Sequence, residues 1–164
     1  MTSDTLVVRP MRWWDIAAVH TIEQQAFPDT AWSQETFWSE LAGVPDTRHY
    51  LVATSDETLV AYAGLMAVGR EADVQTLAVS RSVRRTGLGR RLLDALIDEA
   101  ARRHCSRLSL EVASHAEGAR KLYLARGFEV SGRRSGYYGS GHDALVMQLP
   151  LTSGDVNVPD ESSS

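Results

Sequence analysis

The sequence predicts a mixed α/β domain in which one sheet carries helices on both faces. Three observations predict it. Leu88, Leu92, Leu93, Leu96, Ile97 and Ala100 recur at helical spacing, Leu108, Leu110 and Val112 alternate with period two, and short runs rich in Val, Leu, Tyr and Ala lie upstream of both. The 164 residues amount to a single domain, long enough to bury a core.

Taken in order, Thr5 to Arg9 reads as a short strand ended by Pro10, and Arg12 to Phe27 carries Trp13, Ile16, Ala17, Ile22 and Ala26 at roughly helical spacing. Pro28-Asp29-Thr30 breaks that helix. Ser33 is placed to N-cap a second helix through Leu41-Ala42, after which Gly43, Pro45 and Asp46 make a loop. His49 to Thr54 and Thr58 to Val68 are strands joined as a hairpin across Ser55-Asp56-Glu57, and Ala72 to Ser80 is the next. The helix containing Leu88 to Ala100 sets Asp98/Arg102 and Glu99/Arg103 as i,i+4 pairs on its outer face. Arg107 to Ala113 follows as a strand. Ser114-x-x-Glu117 has the spacing of a capping box, opening a helix through Leu122, Tyr123 and Arg126 that stops at Gly127. Phe128 to Arg133 and Ala144 to Leu149 are the last strands, around a Gly-rich loop from Ser135 to Asp143 that bears two tyrosines. The order is β-α-α-β-β-β-α-β-α-β-β, with residues 1–151 as the domain and 152–164, poor in apolar groups, as a disordered tail. Trp13, Trp14, Phe37 and Trp38 sit at helical positions and are expected to pack inward.

With 43% apolar and 23% charged residues and a net charge of -4, a disordered or fibrous chain is excluded. No apolar run approaches the ~18 residues of a membrane span, and no basic region followed by an apolar run opens the chain, so a cytoplasmic protein without a membrane partner is expected. The single Cys105 excludes an internal disulfide framework, and the five histidines show no metal-ligand spacing, so no metal is expected.

The charge is unevenly placed. From Arg81 to Arg134 there are 13 basic residues against 6 acidic, a net of +7, while the remainder carries -11. A basic segment in an acidic chain points to an anionic ligand held locally, because a general nucleic-acid binder would be basic throughout. The segment Val79-Ser80-Arg81-Ser82-Val83-Arg84-Arg85-Thr86-Gly87-Leu88-Gly89-Arg90-Arg91 runs from a strand into the clearest helix. Free N–H groups at a helix start form an anion site, and four arginines crowding the same positive end repel it unless an anion compensates. On spacing alone, the same glycines could serve only a turn. A Walker loop is excluded because the only lysine is Lys121, and a dinucleotide fingerprint because Leu92 stands where its third glycine belongs.

Arg84-x-x-Gly87-x-Gly89 resembles the pyrophosphate motif Q/R-x-x-G-x-G/A of the GNAT superfamily of N-acetyltransferases, and the element order matches that fold over about residues 5–150. Leu110-Glu111-Val112 and Ala119-Arg120-Lys121-Leu122-Tyr123-x-x-x-Gly127-Phe128 resemble signatures of the RimI-type ribosomal-protein N-terminal alanine acetyltransferases. Ala26-Phe27-Pro28, Trp32-Ser33 and Tyr137-Tyr138 look like that subfamily too. Two positions depart from it: Ser114-His115 stand where the family often has a cofactor-contacting asparagine, and Ala31 replaces the usual proline before Trp-Ser.

The resemblance implies acetyl-coenzyme A as co-substrate and a protein N-terminus as acceptor, most specifically a small-subunit ribosomal protein beginning with alanine. Leu77, Ala78, Val79, Arg84, Arg85, Thr86, Gly87, Leu88, Gly89 and Arg90 would hold the co-substrate, with backbone N–H groups of Thr76 to Val79 polarising the carbonyl if a splayed neighbour opens that edge. Glu111, facing opposite to Leu108, Leu110 and Val112, suits a general base whose pKa burial would raise. The resemblance makes Tyr123 the proton donor to the leaving thiolate and Trp32, Tyr137 and Tyr138 the grip on the acceptor. Two other functions stay open on the residues: acetylation of a small amine such as a polyamine or antibiotic, and non-catalytic binding of acyl-coenzyme A or RNA. The sequence is silent on oligomeric state.

Overall fold

The structure, a computed structural model, describes residues 5–84, 86–136 and 143–151. The elements are β1 (Leu6–Pro10), α1 (Ile16–Ala26), α2 (Gln34–Ala42), β2 (Arg48–Ser55), β3 (Thr58–Val68), β4 (Glu71–Val79), α3 (Leu88–Arg102), β5 (Arg107–Ala113), α4 (Glu117–Ala125), β6 (Glu129–Arg134) and β7 (Ala144–Pro150). This is the predicted order. The expected tail from residue 152 and the tyrosines of the last loop lie outside the described residues.

The seven strands form one sheet in the order β1-β2-β3-β4-β5-β7-β6, antiparallel everywhere except between β4 and β5. Alternation along the strands divides the core in two. Leu51 and Ala53 of β2 face one way, with Leu65 and Leu108, against Leu92, Leu93 and Leu96 of α3 and Tyr123 of α4. Tyr50 and Val52 face the other, with Tyr62 and Ala78, against Ile16, Val19 and Ile22 of α1 and Phe37 of α2. Helices on both faces are thus what the period-2 strands require.

Local signals explain most ends. Ser33 accepts from the Thr36 N–H at 3.2 Å as the N-cap of α2, and Gly127, with φ +104, stands just past α4. The hairpin between β2 and β3 is tighter than expected, since Ser55 pairs with Thr58 and only Asp56 and Glu57 turn, both at positive φ.

Three expectations fail. Ser114 forms no capping box: α4 begins at Glu117, its N-cap is Ala116 without a side-chain bond, and the Ser114 N–H is instead committed to the Asp143 carbonyl at 2.8 Å. Glu117 is therefore the first helical residue rather than the third, too early to reach back. Arg102 pairs with Glu99 at 3.1 Å rather than with Asp98, because Glu99 serves both Arg102 and Arg103. The tryptophans do not pack inward. Trp13, Trp14 and Trp38 keep 60%, 60% and 49% of their surface exposed and lie against one another, whereas Phe37 is fully buried. A short 3-10 turn at Trp13–Asp15 precedes α1, and Trp38 occupies the outer face of α2, so only the Phe37 side of α2 meets the sheet.

Among the described residues no helix is long and apolar enough to cross a membrane, and no three His, Cys, Asp or Glu side chains gather as metal ligands.

That 3-10 turn is pinned to β1 by Asp15, a buried carboxylate that accepts two 2.8 Å bonds from the Arg9 guanidinium and one of 2.7 Å from the Arg12 N–H. Burial opposes its ionisation, but the Arg9 and Arg12 donors prevail and hold the carboxyl below its ordinary value. A depressed folded pKa contributes stability above the unfolded pKa of ~3.9 and loses it as pH falls through the folded value. Asp15→Asn should therefore cost roughly 1–3 kcal/mol at pH 7, with the gap to wild type in thermal melts narrowing below pH ~4. A gap independent of pH would rule out the charge as its source.

Gly64 of β3 sits under the Tyr50 ring. A Cβ there would lie 2.2 Å from both Cε2 and Cζ of Tyr50, whose hydroxyl is already held by Glu40 at 2.5 Å. Gly64→Ala should destabilise by roughly 1–3 kcal/mol through overpacking, and an unchanged melting temperature would show that the ring can move aside.

Candidate active site

The site begins where β4 leaves its parallel partner. The ladder with β5 runs from Glu71 opposite Arg107 to Asp73 opposite Ser109 and stops, although β4 continues to Val79 and β5 to Ala113. On its other edge β4 stays paired with β3, with Gln75 the extra residue of a bulge between Val74, opposite Leu65, and Thr76, opposite Gly64. Past the bulge, among the described residues, no strand pairs with the β5-facing edge of β4, and its outward N–H groups are available as donors. This is the splay that the carbonyl-polarising role of Thr76 to Val79 requires.

The chain then turns into α3. Thr86 donates to the Val83 carbonyl at 2.6 Å, and Gly87 takes φ +80 as the N-cap, a conformation glycine adopts without cost. A Cβ on Gly87 would meet nothing within 4 Å, so the turn is open on that side. The Arg91 N–H is the first to reach back, to the Gly87 carbonyl at 3.0 Å, and among the described residues no side chain caps the helix. The N–H groups of Leu88, Gly89 and Arg90 therefore stand without intrahelical acceptors at the positive end of the dipole.

Leu88 contributes only its backbone, because its side chain is in the core. Gly89 lies close to Val79 of β4 and Leu122 of α4, which brings the end of β4, the start of α3 and α4 together. Arg84, Arg90 and Arg91 are exposed around this turn, and Arg84 also rims a shallow groove lined by Ile22, Gln25, Val79, Ser80 and Arg81. Arg85 lies outside the described residues. An open glycine turn, free N–H groups and exposed guanidinium groups fit a pyrophosphate.

Glu111 faces away from Leu108, Leu110 and Val112, as predicted. Its surroundings differ from the expectation. The side chain keeps 28% of its surface, and the Arg134 guanidinium meets it at 3.1 Å, reaching across β7 from β6. Sequence reasoning missed Arg134 because the pair spans two strands and offers no local spacing. Nearby on the same face, burial and then the negative charges of Glu71 and Glu111 hold the Asp73 carboxyl above its ordinary value. Tyr123 is buried at 7% exposure on the opposite face, its ring edge-on to Phe128 at 5.7 Å. Trp32 is half-buried beside Phe37, with ring centroids 5.3 Å apart, in the loop between α1 and α2. Tyr137 and Tyr138 lie outside the described residues.

Sheet, parting and open helix start define an acyl-transfer fold, and comparison with known proteins agrees. The acetyltransferase (GNAT) family model matches residues 16–128, and the chain belongs to that family. It is an acetyl-coenzyme A-dependent N-acetyltransferase. More particularly, it is 38% identical over 144 residues to the ribosomal protein bS18 alanine N-acetyltransferase of Salmonella typhimurium, covering 84% of this chain and 93% of that one. It is 36% identical over 156 residues to the N-alpha-acetyltransferase RimI of Mycobacterium tuberculosis, covering 90% and 96%. The crystal structure of the Escherichia coli ribosomal-protein-S18-alanine N-acetyltransferase superposes with a TM-score of 0.82 at 31% identity, over 94% of this chain and 99% of that one.

A negative charge at the helix start should oppose the co-substrate. Gly89→Glu or Arg84→Glu is expected to weaken coenzyme A binding by tenfold or more, roughly the worth of one charge-assisted hydrogen bond. Calorimetry on the folded variants checks this, and unchanged affinity would reject the anion site.

Proposed function

We propose that this protein transfers the acetyl group of acetyl-coenzyme A to the N-terminal α-amino group of a protein, and that the acceptor is a small-subunit ribosomal protein beginning with alanine. The observation that carries the reading is Glu111, held by Arg134 on the open face beside the β4–β5 parting, in a chain whose relatives are named for that reaction. Such an acceptor places the enzyme in the cytoplasm.

The proposed roles follow from position. The turn from Arg84 to Arg90, Arg85 included, takes the pyrophosphate, and the edge from Leu77 to Val79 takes the thioester arm and polarises its carbonyl. Glu111 accepts the proton of the α-ammonium group, through water where the distance requires it, and the freed amine attacks the carbonyl carbon. The C–S bond then breaks, the departing thiolate takes the Tyr123 phenolic proton, and the surplus proton on the new amide nitrogen is released to solvent water, from which the phenol is reprotonated. Trp32, with Tyr137 and Tyr138, grips the acceptor end. An α-amine suits this chemistry because its pKa of ~8, against ~10.4 for lysine, leaves far less to remove at neutral pH.

Thiol release measured with peptides of different N-terminal residues tests the acceptor. Alanine-headed peptides should react fastest; turnover only of N-terminally blocked peptides bearing lysine, or faster turnover of a polyamine, would overturn the reading. Glu111→Gln should lower turnover roughly 10²–10⁴-fold, less at high pH where the acceptor is already deprotonated. Tyr123→Phe should lower it without that rescue. Full activity of Glu111→Gln at pH 7, with acetyl transfer rate-limiting, would remove Glu111 as the base.

A further inference from the structure

We propose that Glu23 is a positioning residue for acetyl transfer: its buried carboxylate ties the loop carrying Trp32 to the bulge of β4, holding acceptor wall and open strand edge in one frame. This rests on the reading that the loop between α1 and α2 lines the acceptor groove.

Glu23 lies on the inner face of α1 and is only 2% exposed. One carboxylate oxygen, Oε2, accepts the Trp32 N–H at 3.1 Å. The other, Oε1, accepts the Tyr62 hydroxyl of β3 and the Thr76 hydroxyl of β4, the latter at 3.3 Å. Among the described residues Glu23 forms no salt bridge, so a buried carboxylate stands here on three hydrogen bonds alone.

A fold that needed only filling would place apolar side chains at such a position. Three donors converge on it instead, and a carboxylate accepts from all of them, whereas a glutamine that kept Trp32 on its oxygen would turn its N–H₂ to the two hydroxyls and take away the acceptor of their protons. The donors come from three elements far apart in the chain. Two of them belong to the proposed machinery: Thr76 follows the extra residue of the bulge, on the stretch of β4 beyond its ladder with β5, and Trp32 stands in the proposed acceptor loop.

The neighbouring carboxylate shows the contrast. Glu40 of α2 is also buried and accepts the Tyr50 hydroxyl at 2.5 Å and the Gln75 amide at 3.1 Å, but it pairs with Arg48 at 2.9 Å and its bonds do not reach the loop. The two residues of the bulge are thus each held by a different helix, and only Glu23 links that hold to the acceptor side.

The test compares Glu23→Leu, which removes every acceptor at this position, with Thr76→Val and, as a control for loss of a buried Tyr–Glu bond elsewhere, Tyr50→Phe. Each is measured for Michaelis constants of acceptor peptide and acetyl-coenzyme A, for kcat, for melting temperature and for amide hydrogen exchange at Trp32. In Glu23→Leu the Trp32 amide should exchange at least tenfold faster and the acceptor KM rise roughly tenfold, the worth of one hydrogen bond, with the acetyl-coenzyme A KM unchanged. Thr76→Val should keep Trp32 protected but lower kcat severalfold, and Tyr50→Phe should lose stability while leaving Trp32 exchange and acceptor KM at wild-type values. A folded Glu23→Leu with wild-type exchange and acceptor KM, or with both Michaelis constants rising together, overturns the proposal. Should Glu23→Leu fail to fold, a wild-type kcat in Thr76→Val overturns it equally. If the wild type acetylates no peptide, the acceptor reading is lost, whereas Trp32 exchange still decides whether Glu23 holds the loop.

Discussion

The parting of β4 from β5 beyond Asp73 and Ser109 is the constraint on which the rest of the site depends. A continuous ladder would consume the N–H and C=O groups of both strands and leave an acyl group nothing to bind. By ending the parallel pairing after three residues, the sheet keeps its continuity at one end and presents unpaired backbone at the other. The opening has a rigid surround. β4 remains bonded to β3 and β5 to β7, so each flank of the gap is a strand fixed on its far side. Donors fixed in this way need little reorganisation when charge develops on a carbonyl oxygen.

The two faces of the sheet support that opening by different means. On one, α3 and α4 pack an apolar core of leucine, alanine and phenylalanine, whose density resists movement. On the other, α1 and α2 bury Glu23 and Glu40 against the hydroxyls of Tyr62 and Tyr50. Burial, and then the adjacent carboxylates, push both phenols far above their ordinary pKa, so each remains a donor throughout the working range. Apolar packing fills space without specifying which atoms meet. Hydrogen bonds to Gln75 and Thr76 specify the bulge residue by residue, and the bulge sets where the free edge begins.

What was legible in the sequence was what depends on near neighbours. The leucine spacing of α3, the alternation of β5, the Ser33 cap and the Gly127 stop are all local, and each is found as read. The glycine-arginine turn was legible because strand, turn and helix follow directly along the chain. Local reading also misled, where Ser114-x-x-Glu117 had the spacing of a cap but a long-range bond to Asp143 claimed the Ser114 amide. Trp13, Trp14 and Trp38 had helical spacing without a sheet surface to face. Arg134 and Glu23 were out of reach altogether. Their partners lie on other strands and loops, and only the folded register brings them together.

Charge completes the argument. Part of the +7 segment, Arg84, Arg90 and Arg91, is exposed around the start of α3, while Glu71, Asp73 and Glu111 share the opposite face near the parting. An anionic co-substrate and a cationic acceptor would therefore approach the same gap from sides of opposite potential, each drawn to its own and repelled from the other's. Arg107 pairs with Glu71, and Arg134 with Glu111, so the acidic face is partly neutralised. Among the described residues no guanidinium is bonded to Asp73, and its carboxyl is raised first by burial and then by its two acidic neighbours. A face with residual negative charge favours binding the protonated amine, and the same preference resists deprotonation. An acceptor of low intrinsic pKa would reduce that conflict, which is the physical reason for proposing an N-terminal amine here over a lysine side chain.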